Sequence, residues 1–252
     1  MGHLTFPDIL PYLLAILGLL LLWQLYDIQA KAGRIQKVDV WGRSGIRFFL
    51  HMHVYDPQAC AACRAAGATA YLPTVVAAKR VSSRVAGCSN ATGCRCLLVG
   101  LDGKWQAAQR LYAKLSSAGG KVVVSADEVK QLLDGAQAVR KGLGGDLVSA
   151  CLLSAMHAET DRPEFAVEQY RTVIEQAKTE RDLPLLLPAY VRAIELLEQI
   201  DRRDQALALV ERFLQTFGAP AANRLAGLAT PPQDLLSSMS LRRTRLTAAL
   251  SR

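Results

Sequence analysis

Five of the chain's six cysteines, Cys60, Cys63, Cys88, Cys94 and Cys96, fall within one short stretch. Thiols gathered in this way hold a metal, pair as disulfides, or stay idle. Cys60-x-x-Cys63 can present two thiolates to one ion, the spacing of structural zinc sites, and a second pair is available among Cys88, Cys94 and Cys96. Tetrahedral zinc takes four ligands, and the spacing favours Cys60, Cys63, Cys94 and Cys96, with Cys88 as the substitute. Covalent haem attachment needs C-x-x-C-H, and Arg64 stands where the histidine belongs. An iron–sulfur cluster is the competing metal reading. A thioredoxin-type redox pair needs C-x-x-C at a helix start beside a βαβ pattern, which is not evident here. Cys151, among apolar neighbours, reads as a core residue. His51 and His53 share one face of an upstream strand pattern, where they either add imidazole ligands or form a partly exposed strand face.

The choice between metal and disulfide depends on the compartment, because the cytosol keeps thiols reduced. Residues 9–26, ILPYLLAILGLLLLWQLY, carry no charge and lie between Asp8 and Asp27. Eighteen residues make about 27 Å of helix, close to the roughly 30 Å of bilayer hydrocarbon, with Tyr12, Trp23 and Tyr26 placed as interfacial anchors. A cleaved signal peptide would put positive charge before the apolar run and small residues after it. A buried core helix is the other competitor, but here almost every face is apolar. The expectation is an N-terminal tail over residues 1–8 and one transmembrane helix over 9–26. Lys31, Arg34, Lys37, Arg43 and Arg47 follow the span, and no Lys or Arg precedes it. The positive-inside rule then leaves the N-terminus outside and the soluble part in the cytoplasm, at the inner membrane of a bacterial-type cell. In that compartment the cysteines favour zinc. The inverted topology gives a periplasmic, disulfide-stapled domain instead.

The elements that would position the cysteines follow from periodicity. Residues 27–34 read as a juxtamembrane connector. IQKVDVW, the turn candidate Gly42-Arg43-Ser44-Gly45 and IRFFLHMHVYD suggest a hairpin with Ile46, Phe48, Leu50, Met52 and Val54 on its buried side. Between Cys60 and Cys96 no helix is obvious. LLVGL and KVVV are strand candidates, Lys104 to Leu115 has helical spacing, and Ser125 with Glu128 forms the S-x-x-E start of a further helix. Residues 35–141 thus read as a small α+β domain. From Asp146 the pattern becomes helical, over 147–159, 163–180, 183–200 and 203–217, with Pro163 and Pro184 in first turns. Ala166 to Ile174, AVEQYRTVI, and Ala206 to Leu214, ALALVERFL, share an Ala-led pattern, and each follows a charged turn.

Helix, charged turn and Ala-led second helix over 146–218 resemble tetratricopeptide repeats, which stack helical hairpins into a concave surface for peptides or partner proteins. The offset of 40 residues departs from the usual 34, and the first helices lack the expected Trp and Leu-Gly. A plain four-helix unit without a groove is the alternative. Asp56, Cys60-x-x-Cys63, Gly67 and Cys94-Arg95-Cys96 also resemble the cysteine segment of phage minor head proteins of the head-morphogenesis type, although Ala91-Thr92-Gly93 replaces the His-Pro found there. That resemblance implies a compact stapled module, and the membrane anchor argues against a capsid role. Residues 219–252 comprise a linker and a basic helix that lies on anionic lipid, caps the helical stack, or is simply solvated.

The 252 residues are 51% hydrophobic but only 6% aromatic, a balance that favours packed helices. The net charge of +8 is divided between the post-span cluster and the tail, without the single basic face of a nucleic-acid binder. No phosphate-cradling glycine loop, G-x-S-x-G elbow or H-E-x-x-H occurs. The expectation is a single-pass membrane protein with an α+β cysteine-rich domain followed by an all-α tetratricopeptide-like helical-hairpin domain. It is expected to be a non-catalytic adaptor or accessory subunit of a membrane complex. It would contact lipid through its N-terminal helix and a protein through its helical domain. The alternative function is metal handling or thiol redox chemistry at the cysteine cluster.

Overall fold

The computed structural model describes residues 6–55, 59–90, 94–138, 145–179, 181–218 and 233–251. In chain order the elements are α1 (Phe6–Arg43), β1 (Phe48–Met52), α2 (Ala61–Ala66), β2 (Ala68–Tyr71), α3 (Pro73–Lys79), β3 (Leu97–Leu101), α4 (Gln106–Ser117), β4 (Lys121–Val124) and α5 (Ala126–Ala138). Five helices follow: α6 (Gly145–Ala158), α7 (Pro163–Gln176), α8 (Leu183–Gln199), α9 (Arg203–Phe217) and α10 (Gln233–Leu250).

The first helix corrects the expected hairpin. Residues 35–41 are not a strand but the end of α1, which runs without a break through the expected connector at 27–34. The Val38 and Val40 alternation resembles a strand, yet Ala30, Gly33, Arg34, Val38 and Trp41 are the half-buried positions. That spacing of three to four places them on one helix face, which packs on α3. Among the described residues α1 provides the one helix long and apolar enough to cross a membrane, and Leu19, Leu22 and Trp23 stand exposed on it.

The four strands form one sheet in the order β3-β1-β2-β4, with every pair antiparallel. Register places Leu50 opposite both Ala70 and Val99, and Ala70 opposite Val122. These side chains form one face, packed in a single apolar cluster with Leu111, Leu115, Leu132 and Leu133 of α4 and α5. The expectation that β1 buries only one side is also corrected: all five of its residues are buried. Phe49, on the opposite face, takes the Trp41 ring edge-on at 4.8 Å, so the end of α1 covers what would otherwise face water. Full burial of such a side chain contributes roughly 1.5–3 kcal/mol. Two helices and a strand, α2, α3 and β2, occupy the stretch between Cys60 and Cys96 where no helix was obvious.

The apolar cluster continues without interruption into α6 to α10. Helix α6 packs on α5 and β3 as well as on α7 and α8, so it belongs to both parts of the molecule. Ala166 and Ala206, each the fourth residue of its helix, are completely buried in α7 and α9. Helix α10 packs on α9 through Met239 and Leu246, and Arg245 forms an ion pair with Glu198 of α8 at 2.9 Å. The basic tail helix therefore covers the end of the helical layer.

A buried carboxylate joins the two parts near the end of α1. Asp146 accepts the amides of Asp102 at 2.7 Å and Gly103 at 2.9 Å, and pairs with Arg181 at 2.9 Å. The same guanidinium donates to the carbonyls of Ser44 and Gly100.

Candidate metal centre

Short elements bring the cysteines together. Cys60 is the N-cap of α2, an unusual role for a thiol, and its Sγ accepts the amide of Cys63 at 3.4 Å. One helical turn places Cys63 beside it. After α3 the chain returns through Ser83 to Cys88, and the approach to β3 carries Cys94 and Cys96. None of the six cysteines forms a disulfide.

Three sulfur contacts define the site. Cys88 Sγ lies 3.7 Å from Cys60 Sγ and 3.7 Å from Cys63 Sγ, and Cys94 Sγ lies 3.9 Å from Cys63 Sγ. A tetrahedral ion with metal–sulfur bonds of about 2.3 Å separates its ligands by about 3.8 Å. The sulfurs thus stand at coordination distance, well beyond the roughly 2.05 Å of a disulfide. They form two triads whose members all lie within 4.8 Å of one another, Cys60-Cys63-Cys88 and Cys63-Cys94-Cys96, with Cys63 common to both. The geometry can hold a metal ion. All four cysteines singled out by spacing are present, and the substitute Cys88 touches two of them.

The electrostatics of the thiols differ widely. The amide of Cys63, followed by that of Ser89, holds the Cys60 thiol down at about 6. Burial pushes Cys96 up to about 12 and Cys63 higher still. Cys94 also resists ionisation through burial, but the amides of Val85 and Cys96 outweigh it and its pKa falls. A dipositive ion would offset the cost of ionising Cys63 and Cys96, since metal binding drives protons from thiol ligands.

The surrounding residues hold these sulfurs in place. Val85 N–H donates to Cys94 Sγ at 3.4 Å, and the Ser83 carbonyl, 4.0 Å from the same sulfur, is bonded to His51 Nε2 at 3.1 Å. His51 therefore acts one layer out, and neither His51 nor His53 belongs to a thiol triad. Both are buried, which corrects the reading of a partly exposed strand face. His53 lines a cavity of about 20 Å³ with Cys60, Cys63 and Cys96, and its ring stacks on Tyr55 at 5.1 Å. A cavity of that size holds one water-sized occupant.

Between two of the cysteines sits the link to the helices. Arg95 pairs with Glu159 at 3.0 Å, and Glu159 also receives Arg192 at 3.2 Å and the Tyr170 hydroxyl. Arg192 donates in addition to the carbonyl of Arg95. Both Glu159 and Arg192 are buried. Sequence reasoning missed this cluster and the Asp146–Arg181 pair. The available signal was a charge in an apolar setting, as with Arg192 within AYVRAIELL. Asp56 and Ala91-Thr92-Gly93, which bear on the phage-type resemblance, lie outside the described residues. No family model, curated protein or solved structure matches the chain.

Proposed function

We propose that this chain is a membrane-anchored, non-catalytic adaptor whose cysteine cluster holds a structural zinc ion. The observation that supports it best is the sulfur geometry, with three separations of 3.7, 3.7 and 3.9 Å against the about 3.8 Å edge of a zinc–thiolate tetrahedron. Cys60, Cys63, Cys88 and Cys94 are the sulfurs linked by these contacts, with Cys96 behind them as the reserve ligand. The metal's role is to fix the C-R-C segment, and Arg95 carries that order into α6 and α8. The hairpins α6/α7 and α8/α9, with their tetratricopeptide-like pattern, supply the surface for a protein partner. The basic residues after the apolar run favour a cytoplasmic body, and a cytoplasmic compartment would keep the thiols reduced.

The test uses full-length protein purified in detergent under reducing conditions. One zinc per chain, a cobalt-substituted form with thiolate charge-transfer absorption, and loss of thermal stability on chelation are expected. Less than a tenth of an equivalent of metal would refute the centre. Cross-linking in native membranes before purification is expected to recover a companion protein, and a lone monomer counts against the adaptor role.

The low pKa of Cys60 favours a second reading, in which the cluster handles metal or redox equivalents. Alkylation of zinc-loaded protein separates the two. Slow labelling of all five clustered thiols supports a structural centre, whereas rapid modification of Cys60 with metal release supports thiol chemistry.

A further inference from the structure

Beyond the apolar run, the face of α1 that bears Ala30, Arg34, Lys37 and Trp41 borders a cleft of about 740 Å³ shared with α3 and the sheet. Its floor is apolar, formed by Trp41, Phe49, Val76 and Leu98, and its rim carries Arg34, Lys37 and Arg80. Among the described residues no carboxylate lies within ion-pair distance of these three cations, and none lines the cleft. Arg80 closes α3 in the left-handed backbone region, φ 48°, where glycine or asparagine is the ordinary occupant. A strained C-cap position thus carries a positive charge at the lip of a basic cleft.

Position along α1 suggests what fills it. Ala30 stands about 6 Å past Tyr26 along the helix axis and Arg34 about 12 Å, from the rise of 1.5 Å per residue. The headgroup layer beyond the hydrocarbon is about 5–8 Å deep, so the mouth of the cleft at Ala30 opens at headgroup level. Arg34 Nε donates to the Ala30 carbonyl at 3.2 Å, which turns its guanidinium back to that level, and Lys37, about 16 Å past Tyr26, reaches down toward it from above. A second recess of about 370 Å³, lined by Lys31, Ile35, Val38, Asp39, Ala77 and Ala78, shares Arg34 with it. We infer that the cleft binds one anionic phospholipid, with its phosphate held by Arg34, Lys37 and Arg80 and its chains leaving along the exposed apolar side of α1. A zwitterionic headgroup brings an ammonium that these cations repel, so the site selects net negative charge. The inference rests on α1 being inserted in a bilayer and is independent of the cysteine cluster.

Native mass spectrometry of the full chain, released from detergent containing equimolar phosphatidylglycerol and phosphatidylcholine, tests it. The expected result is one retained phosphatidylglycerol, preferred about tenfold or more, with the preference lost in the triple variant Arg34→Gln, Lys37→Gln, Arg80→Gln. Arg80→Gly alone is expected to weaken the preference while raising thermal stability, because glycine relieves the backbone; this separates ligand loss from unfolding. Equal retention of the two lipids by the native chain, full preference in the triple variant, or displacement of the lipid by millimolar inorganic phosphate would overturn the site. Alkaline extraction from vesicles reads anchoring alone. Release into the supernatant defeats the membrane span and the lipid site with it, and retention without lipid preference defeats only the cleft.

Discussion

The Arg95 guanidinium lies 3.0 Å from Oε2 of Glu159, a contact that spans 64 positions of sequence and ties the middle residue of C-R-C to the residue that follows α6. The Glu159 side chain is only 4% exposed and is shared with Arg192 and Tyr170. A buried carboxylate with several donors tolerates the loss of an outlying one better than the loss of a central one. Arg192, itself buried, is central, and Arg95, with 28% of its side chain exposed, is outlying.

Arg192→Ala should therefore destabilise the protein by about 3–5 kcal/mol, the range for breaking a buried ion pair. Arg95→Ala should cost about 1–2 kcal/mol, with solvent screening part of the lost charge. Denaturant titration of both variants in detergent measures the difference. Equal costs would show that Glu159 does not distinguish the two arginines.

Cys63 is the vertex shared by both sulfur triads. Cys63→Ser should reduce bound zinc to background, whereas Cys151→Ser, in the core of α6, should leave it at one equivalent. Cys88→Ser and Cys96→Ser divide the remaining question. Greater metal loss from Cys88→Ser identifies the quartet completed by Cys88, and the reverse order identifies the one completed by Cys96. Metal analysis after dialysis against a weak chelator gives the ranking.

Gly103 has φ +74°, and a Cβ placed there would lie 2.7 Å from Phe48 Cε1 and 3.2 Å from the Ala108 methyl. Its amide also donates to Asp146. Gly103→Ala combines a left-handed backbone with overpacking of a full core and should cost about 2–4 kcal/mol. Gly87→Ala shares the positive φ but meets nothing within 4 Å, so it should cost about 1 kcal/mol. Thermal melts of the two variants check the contrast.

Helix α5 begins with reciprocal bonds, Ser125 N–H to Glu128 Oε2 at 2.9 Å and Glu128 N–H to Ser125 Oγ at 3.2 Å. Lys114 first, and then the Ser125 amide, hold the Glu128 carboxyl below its usual value. A depressed carboxylate contributes stability that is fully present above its unfolded pKa of about 4.3 and is lost as pH falls through the lower folded value. Hydrogen exchange at the first turn of α5 should therefore quicken as pH falls below about 4, after correction for intrinsic rates. Glu128→Gln should flatten that dependence, and Ser125→Ala should cost about 0.5–2 kcal/mol at neutral pH. An unchanged pH response in Glu128→Gln would dismiss the charge contribution.

Local signals made much of this architecture legible in the sequence. Alternation marked β1, the KVVV run marked β4, the S-x-x-E pair marked the start of α5, and prolines marked the starts of α7 and α8. The C-x-x-C spacing pointed to Cys60 and Cys63 as neighbours. What escaped depends on tertiary context. Residues 35–41 alternate like a strand, but the face formed by Ala30, Arg34 and Trp41 finds α3 and Phe49 to cover, and packing overrides alternation. Strand β2, Ala68–Tyr71, is too poor in large side chains to look like a strand, and its small residues suit a central position between β1 and β4. Helix α2 begins at a thiol cap that no propensity scale favours. The buried ion pairs join residues 33 to 64 positions apart, farther than any periodic pattern can signal.

Helix α1 is 38 residues long, about 57 Å of rod without a break. A flexible tether would let the body roam relative to the apolar end, but a continuous shaft cannot. Whatever grips the apolar end sets the bearing of Trp41, and through it the bearing of the sheet and the sulfurs behind it. Twisting or tilting the apolar half should thus be felt, nearly undiminished, some 25 Å beyond Tyr26.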